Sequence, residues 1–359
     1  MIPEKTAKKK EVRKMKIKAG IIGATGYAGA ELVRLLLTHP EAEIAAISSV
    51  SFEGQKLSDV YPSYKTLCDM ECKNQDEVVE KSDVVFAALP HGLSQELAAK
   101  CDKAGKAFID LGADFRLESE EEYKEWYGCE FLDHDLHKRS VYGLPELFRQ
   151  NIKGKRIIAN PGCYTTGAPL ALAPAVKAGL VSTEGIIVDS KSGVTGAGRK
   201  PNQGNHYPEL NEGFHAYKVA NHRHTPEIEQ TLSRLSGKDV TITFVPHLLP
   251  VNRGIISTCY ARINEGVSFE QIKEEYKRFY AGEFFIRLLP DGANADIHNI
   301  KYSNFCDISL HHDKRTNTLV AISAIDNMVK GAAGQAIQNM NIIFGIDEKA
   351  GLIIVPPAF

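Results

Sequence analysis

One cysteine, two histidines and a glycine-rich turn carry the chemistry available to this sequence. Cys163 lies in RIIANPGCYTT, residues 156–166, where a short apolar run (Ile157, Ile158, Ala159) breaks at Asn160-Pro161-Gly162. The chain that follows, over roughly residues 168–178, reads as a helix. A thiol at a helix N-terminus feels the positive end of the helix dipole and lies among unpaired backbone N–H groups. Both favour the thiolate, so Cys163 is expected to be a nucleophile in its reactive form. A lone cysteine is ordinarily a small buried apolar residue. Of the seven cysteines, the others (Cys68, Cys72, Cys101, Cys129, Cys259, Cys306) have no comparable setting.

A cysteine nucleophile needs a partner to handle its proton. The stretch ANHRHTPEI, residues 220–228, offers His222 and His224 on either side of Arg223, followed by Thr225-Pro226-Glu227, the opening of a helix. A histidine beside a helix N-terminus stays neutral, which suits a base. His224 is the assigned acid/base and His222 the alternative. Three arginines are candidate clamps for a phosphate or a carboxylate: Arg116 in DLGADFR, Arg199 in SGVTGAGR and Arg253 in PVNRG. For each, a plain surface arginine is the competing reading.

Gly23, Gly26 and Gly29 stand between an apolar strand and a helix, where a dinucleotide pyrophosphate meets a helix N-terminus. The spacing GxxGxxG is weak evidence alone. The second strand ends in Ile47-Ser48-Ser49-Val50-Ser51, with no carboxylate to hold ribose hydroxyls. Small hydroxyls there, with Lys56 nearby, suit the 2′-phosphate of NADP. A thiol beside a nicotinamide implies one reaction class: a thioester formed or reduced through a thiohemiacetal, with an aldehyde or its acyl phosphate as substrate.

These groups need a scaffold. Residues 19–22, 43–50, 84–89 and 107–111 read as short apolar strands alternating with helices, and 156–160 as the last strand of that half. The alternation predicts a parallel sheet covered on both faces. Beyond Cys163, residues 186–190, 241–245, 255–263, 306–311 and 319–325 read as longer strands, the last two joined by a hairpin at 313–317. The fold class is therefore α/β: an NADP-binding Rossmann domain (residues 15–163 and 327–359) plus an α+β domain with a mostly antiparallel mixed sheet (164–326). A final amphipathic helix over 329–341 is expected to pack back on the first domain. Pro174 predicts a kink or a late start in the helix after Cys163. The lysine-rich residues 1–14 are expected to be a disordered, solvated tail.

The composition is that of an ordinary globular chain: 359 residues, 43% hydrophobic, 25% charged, net charge −2. It gives no electrostatic reason to expect nucleic acid or an anionic membrane as a partner. An odd number of irregularly spaced cysteines predicts reduced thiols in a cytoplasm, and Cys68 with Cys72 lacks the second pair that a metal site needs.

GATGYAGAELVRLL, DLGADFRL, ANPGCYTTGAPLAL, SGVTGAGR, NHRHTPEI and FVPHLLPVNRGI occur in that order. Together, over about residues 15–359, they resemble the N-acetyl-γ-glutamyl-phosphate reductases of arginine biosynthesis, relatives of aspartate-semialdehyde dehydrogenase. The resemblance implies NADP(H) as cofactor, a small acyl phosphate as substrate, and a homodimer or homotetramer. It implies Cys163 as nucleophile and a histidine of HRHTPEI as acid/base. The family more often has proline where Thr165 stands. The cofactor set is then Gly23, Thr25, Gly26, Tyr27, Ala28, Ser48, Ser49, Ser51, Leu89, Pro90, Gly196 and Asn327. The substrate set is Arg116, Asn160, Arg199, His222 and Arg253, and no metal is expected. Three rivals share some of these features: a lysine-branch reductase of carrier-linked aminoadipyl phosphate, aspartate-semialdehyde dehydrogenase, and a non-catalytic NADP-binding sensor.

Overall fold

A computed structural model describes residues 15–358, so the tail expected over 1–14 lies outside the described residues. The first half forms strands β1 (Ile17–Ile22), β2 (Ala42–Ser48), β3 (Cys72–Lys73), β4 (Val84–Ala87), β5 (Ala107–Asp110), β6 (Val141–Tyr142) and β7 (Ile157–Ala159). They assemble in the order β3-β2-β1-β4-β5-β7-β6, every pair parallel. Each residue of β4, β5 and β7 is buried. Burial on both faces is why these segments read as unbroken apolar runs without alternation. The apolar run at 156–160 is β7, the last strand of this half in chain order as expected, although it is not the edge of the sheet. Two-residue β6 lies outside β7, too short to leave a periodic signal.

The second half supplies β8 (Ile186–Gly193), β9 (His215–Ala216), β10 (Ile242–Leu249), β11 (Ile255–Arg262), β12 (Ile286–Leu288), β13 (Cys306–Asp313) and β14 (Thr318–Ile325), in the order β12-β13-β14-β11-β8-β10-β9. Only β8–β10 and β12–β13 pair in parallel; the rest of this sheet is antiparallel, including the expected β13–β14 hairpin. The α/β class, with a parallel and a mostly antiparallel mixed sheet, is borne out.

The helix after Cys163 differs from expectation. It starts at once, at Tyr164, and runs to Lys177 through both Pro169 and Pro174. A proline at 174 deprives the Leu170 carbonyl of its helical donor. The Tyr280 hydroxyl donates to that carbonyl at 2.5 Å, and Tyr276 donates to the Ala171 carbonyl at 2.5 Å. The Tyr280 hydroxyl, just after the Phe269–Phe279 helix, replaces the donor that Pro174 removes, and the helix needs no late start.

The last helix is also not the amphipathic element expected over 329–341. A π-helical turn, Val329–Ala333, precedes an α-helix, Gly334–Ile343, and residues 334–342 are all buried. Ile337 and Met340 join the apolar cluster that holds Ile21, Leu32 and Phe86 of the first half. The polar residues of this helix are consumed internally: Asn339 Nδ2 donates to the Gly143 carbonyl (2.8 Å) and to Asn160 Oδ1 (3.0 Å). Polar letters on the helix therefore mark buried hydrogen bonds and no solvent face.

Two glycines set the turn after β1. Gly23 has φ +87°, open to glycine at little cost. A Cβ on Gly29 would stand 2.1 Å from the Gly23 carbonyl oxygen, so the Tyr27–Leu36 helix lies directly on the loop.

Lys330, in the π-helical turn, is wholly buried. Its Nζ donates to Glu146 Oε1 at 2.7 Å and to Gln338 Oε1 at 2.9 Å. Burial pushes Glu146 up, but Lys330, with the hydrogen bonds from Gln338 and the backbone, more than offsets this and holds the carboxyl below its usual range. Stranding one partner of a buried ion pair costs about 3–5 kcal/mol, whereas replacing both by apolar groups is often neutral. Lys330→Met is therefore expected to lose about that much stability in urea titration, and Lys330→Met/Glu146→Leu to recover most of it. A double variant no more stable than the single one would show that the pair is not the source of the loss.

Candidate active site

β7 ends at Ala159, and the break at residues 160–162 places Cys163 at the N-cap of the Tyr164–Lys177 helix. The thiol is half-buried. Burial pushes it up to about 11, against the lowering effect of the backbone N–H groups of Tyr164 and Cys163 and the charge of Arg116. The thiolate-favouring field expected from the helix N-terminus is present, but desolvation outweighs it. In the free protein Cys163 is a thiol.

The histidines converge on it. A Cβ placed on Gly162 would meet His224 Nε2 at 2.6 Å and Arg116 Nη1 at 2.8 Å, so both groups crowd the residue preceding Cys163. On its other side, Gly331 comes so close that a Cβ there would lie 2.8 Å from Cys163 Cβ. His224 is the N-cap of the Thr225–Ser236 helix, and its Nδ1 is buried without a protein partner. Burial, then the charges of Arg116, Arg223 and Lys218, hold His224 well below its usual value. His222 is pushed down to about 2, mainly by burial. Its Nδ1 accepts the backbone N–H of His224 at 3.1 Å, which places its own proton on Nε2. Tyr164, Tyr217 and Phe244 surround the His222 ring edge-on. His222 thus braces the loop, and His224 is the freer base.

The residue that organises this junction is Glu227. Its only sequence signal is its place at the third position of a helix, where a carboxylate meets free N–H groups. It is fully buried. Oε1 accepts from Gly162 N (3.1 Å), the Tyr142 hydroxyl (2.8 Å) and the Thr165 hydroxyl (2.6 Å). Oε2 faces Arg116 Nη1 at 3.4 Å. Thr165 therefore makes a bond that proline in its place could not make.

The substrate set is not gathered in one place. Arg116 is buried and spends Nε on the Asn160 carbonyl (2.9 Å) and Nη2 on the Leu111 carbonyl (2.8 Å), leaving Nη1 toward Glu227 and Gly162. Asn160 is buried and bonds Ala332 and Asn339. Arg253 forms a bidentate pair with Glu31 on the Tyr27–Leu36 helix (2.6 and 3.1 Å) and faces Asp326 at 3.4 Å. Arg199 stands at the glycine loop, its Nη1 3.0 Å from the Thr25 carbonyl and its guanidinium over Tyr61 and Phe52.

The first-half members of the cofactor set stand at the C-terminal ends of β1, β2 and β4, where strand order reverses, whereas Gly196 and Asn327 follow β8 and β14. Gly23 N and Ala24 N donate to the Ser48 carbonyl, and the Thr25 and Ser49 hydroxyls meet at 2.6 Å. Gly26 is the N-cap of the Tyr27–Leu36 helix, and no side chain caps it. First-turn N–H groups at Tyr27 and Ala28 are thus open to a pyrophosphate. Leu89 and Pro90 follow β4, and Ser51 is exposed beyond β2. Asn327 bonds Gly254 N and the Thr195 hydroxyl, packing beside Gly196. Asp114 was not assigned from sequence. It holds the loop after β4 through Gly92 N (2.6 Å) and Ser94 N (2.8 Å).

A parallel sheet with an uncapped glycine-turn helix, joined at a Cys–His junction to a mixed sheet, is the architecture of the semialdehyde dehydrogenases. Residues 18–155 match the family described as semialdehyde dehydrogenase, NAD binding domain, and residues 163–327 match semialdehyde dehydrogenase, dimerisation domain. Among solved structures, aspartate semialdehyde dehydrogenase II of Vibrio cholerae superposes with TM-score 0.70 at 16% identity, over 91% of this chain and 98% of that one. The Candida albicans aspartate semialdehyde dehydrogenase superposes with TM-score 0.69 at 19% identity, over 94% and 99%. These show a shared fold. Much nearer in sequence are the N-acetyl-gamma-glutamyl-phosphate reductases of Clostridium botulinum Eklund 17B, 55% identical, and Brachyspira hyodysenteriae, 53% identical, each over 96% of this chain and all of the relative. The chain belongs to the N-acetyl-γ-glutamyl-phosphate reductase family.

Two measurements check the site electrostatics. Alkylation of Cys163 by iodoacetamide, followed on its own peptide, is expected to accelerate about tenfold per pH unit from pH 7 to 9, because the thiolate fraction rises toward a value near 11. A plateau near pH 7 would reveal a preformed thiolate instead. The negative charge of Glu227 also raises the Cys163 thiol. Glu227→Gln is therefore expected to speed alkylation while slowing turnover, with an unchanged urea midpoint; a lowered midpoint would attribute both effects to loss of the fold, which also exposes the thiol.

Proposed function

We propose that the chain catalyses the NADPH-dependent reduction of N-acetyl-γ-glutamyl phosphate to N-acetylglutamate 5-semialdehyde and phosphate, a step of arginine biosynthesis. The observation that carries this reading is His224 standing against Gly162, the residue before Cys163, in a chain that also has an uncapped glycine-turn helix and is more than half identical to a reductase of that name.

Cys163 Sγ attacks the acyl carbon as His224 takes the thiol proton and passes it to the departing phosphate, leaving a thioester. NADPH, when bound, supplies the hydride that reduces this thioester. His224, which takes up one proton from solvent once phosphate has left, protonates the resulting oxyanion; collapse of the thiohemiacetal breaks the C–S bond, releases the aldehyde and returns that proton to Cys163. The N–H groups of Cys163 and Tyr164, already directed at the sulfur, serve as donors to the oxyanion. The neutral state of both Cys163 and His224 suits a pair that exchanges one proton at each half-reaction.

NADP in preference to NAD rests on the end of β2. Hydroxyls of Thr25 and Ser49 and the guanidinium of Arg199 converge there, and no carboxylate occupies residues 47–51. A homodimer is the assembly we favour. The Tyr164–Lys177 and Thr225–Ser236 helices pack on the second sheet, while Ile187 of β8 is 42% exposed within the span matching a dimerisation domain. Seven free cysteines suit a cytoplasmic enzyme. Among the described residues no helix is long and apolar enough to cross a membrane.

The test is NADP reduction with N-acetylglutamate 5-semialdehyde and inorganic phosphate. Cys163→Ser is expected to lose roughly 10³-fold or more in kcat. His224→Asn is expected to lose roughly 10²-fold or more, exceeding His222→Asn. Arg199→Ala is expected to raise KM for NADP roughly tenfold and spare that for NAD. Full activity in Cys163→Ser would sink the covalent route. Turnover of an aminoadipyl analogue alone would move the substrate to the lysine branch.

A further inference from the structure

The acyl substrate is strongly anionic, yet the arginines assigned from sequence are largely spent inside the protein. Arg253 is held by Glu31 and Asp326, Arg199 belongs to the glycine loop, and Arg116 offers only Nη1, beside Gly162. Arg116 thus serves the reacting end, where phosphate leaves. The far end of the substrate, with its carboxylate and amide, has no cation among those residues.

A second cavity supplies one. It encloses about 290 Å³ and is lined by Glu125, Trp126, Lys218, Asn221 and Arg223. Arg223 lies between the two histidines in sequence. Its Nη1 donates to His91 Nδ1 at 2.9 Å, its guanidinium stands 5.6 Å from the Tyr127 ring centre, and its carbonyl accepts from the Tyr127 hydroxyl. Lys218 follows Tyr217, whose hydroxyl is 3.0 Å from that of Tyr164, the residue after Cys163. The cavity is therefore lined from the same loop, residues 217–224, that carries His222 and His224. Lys218 and Ala220 hold left-handed backbone (φ 46° and 55°), a conformation costly to non-glycine residues and concentrated where side chains are aimed at a task. The charges of both cations already reach His222 and His224. Glu125 on the rim is the one carboxylate in the lining, against two cations.

We propose that Lys218 and Arg223, with Asn221 and Trp126, form the subsite for the α-carboxylate and amide end of the acyl substrate. This rests on the acetylglutamyl reading above. Arg223 presents a planar fork to the carboxylate, Lys218 adds a second charge, Asn221 bonds the amide, and Trp126 gives the acyl group an apolar wall. Such a subsite selects for substrates that carry a carboxylate four bonds from the reacting carbon.

The test compares N-acetylglutamate 5-semialdehyde with 4-acetamidobutanal, the same aldehyde without the carboxylate, under saturating NADP and varied phosphate. Wild type is expected to prefer the carboxylated aldehyde by roughly tenfold or more in kcat/KM. Arg223→Gln and Lys218→Gln are each expected to shrink that preference by raising KM for the carboxylated aldehyde, with KM for phosphate within about twofold of wild type. Arg223→Lys is expected to retain part of it. Undiminished preference in both glutamine variants, or a raised KM for phosphate alone, would overturn the subsite. If wild type oxidises neither aldehyde, the acetylglutamyl reading itself falls. Calorimetric binding of N-acetylglutamate against 4-acetamidobutyrate then judges the subsite alone: a preference for N-acetylglutamate that Arg223→Gln removes supports it, and equal binding overturns it.

Discussion

A single buried carboxylate, Glu227, fixes the relation between the two halves of this molecule. It accepts from the loop that carries Cys163, from Tyr142 on β6 and from Thr165 in the following helix, and it faces Arg116 after β5. A buried charge is tolerated only when its partners are complete. Each partner of Glu227 is therefore held to a narrow range of positions, and each belongs to a different element around β7. Because Glu227 is three residues beyond His224 on the same helix start, satisfying the carboxylate also brings the base to Gly162. Thiol and imidazole come from opposite halves of the chain, and their meeting follows from a charge that neither of them carries.

The same device recurs along the junction. Glu31, on the helix that follows the glycine turn, is pushed up by burial, yet its bonds to Arg253 and Arg34 hold it below its usual range. Lys330 ties the π-helical turn to Glu146. Gly331, next in sequence, packs against Cys163. Arg253, Lys330 and Gly331, which all come after β10, are thus each fastened to a residue of the first half. A π-helical turn is a local departure from the regular helix and is common at functional sites. Here it lets the segment after β14 place glycine against the thiol and lysine away from it.

Legibility from sequence followed the physics. Long-range order imposed by burial was readable: the apolar runs of β1, β4, β5 and β7, the glycine turn, the β13–β14 hairpin and the isolation of Cys163 after Pro-Gly. What depended on a partner remote in sequence was not readable. Pro174 argues locally against a helix, and only the Tyr280 hydroxyl, distant in sequence, reverses that argument. Arg253 looks like a clamp until Glu31 is found beside it. The last helix carries glutamines and asparagines that read as a wet face, whereas Gln338 bonds Glu146 and Asn341 bonds the Ala350 carbonyl. The two-residue strands β3 and β6 are too short for any period to show. Glu227 was hidden for a further reason: a carboxylate in a first helical turn is commonplace, and its importance lies entirely in what it touches.

The protonation state of Cys163 shows how these terms combine. Position at a helix N-terminus argues for a thiolate, and burial argues against it more strongly. The imidazole beside it is also held neutral, by burial and then by Arg116, Arg223 and Lys218. Those cations add to the effect of burial, and an anion among them would offset only their share. On the proposed reading, an acyl phosphate brings negative charge among them, cancels part of their field and restores part of the capacity of His224 to hold a proton. The same anion makes a free thiolate costlier, but the sulfur never needs to be free, because its charge is consumed in the bond to the acyl carbon.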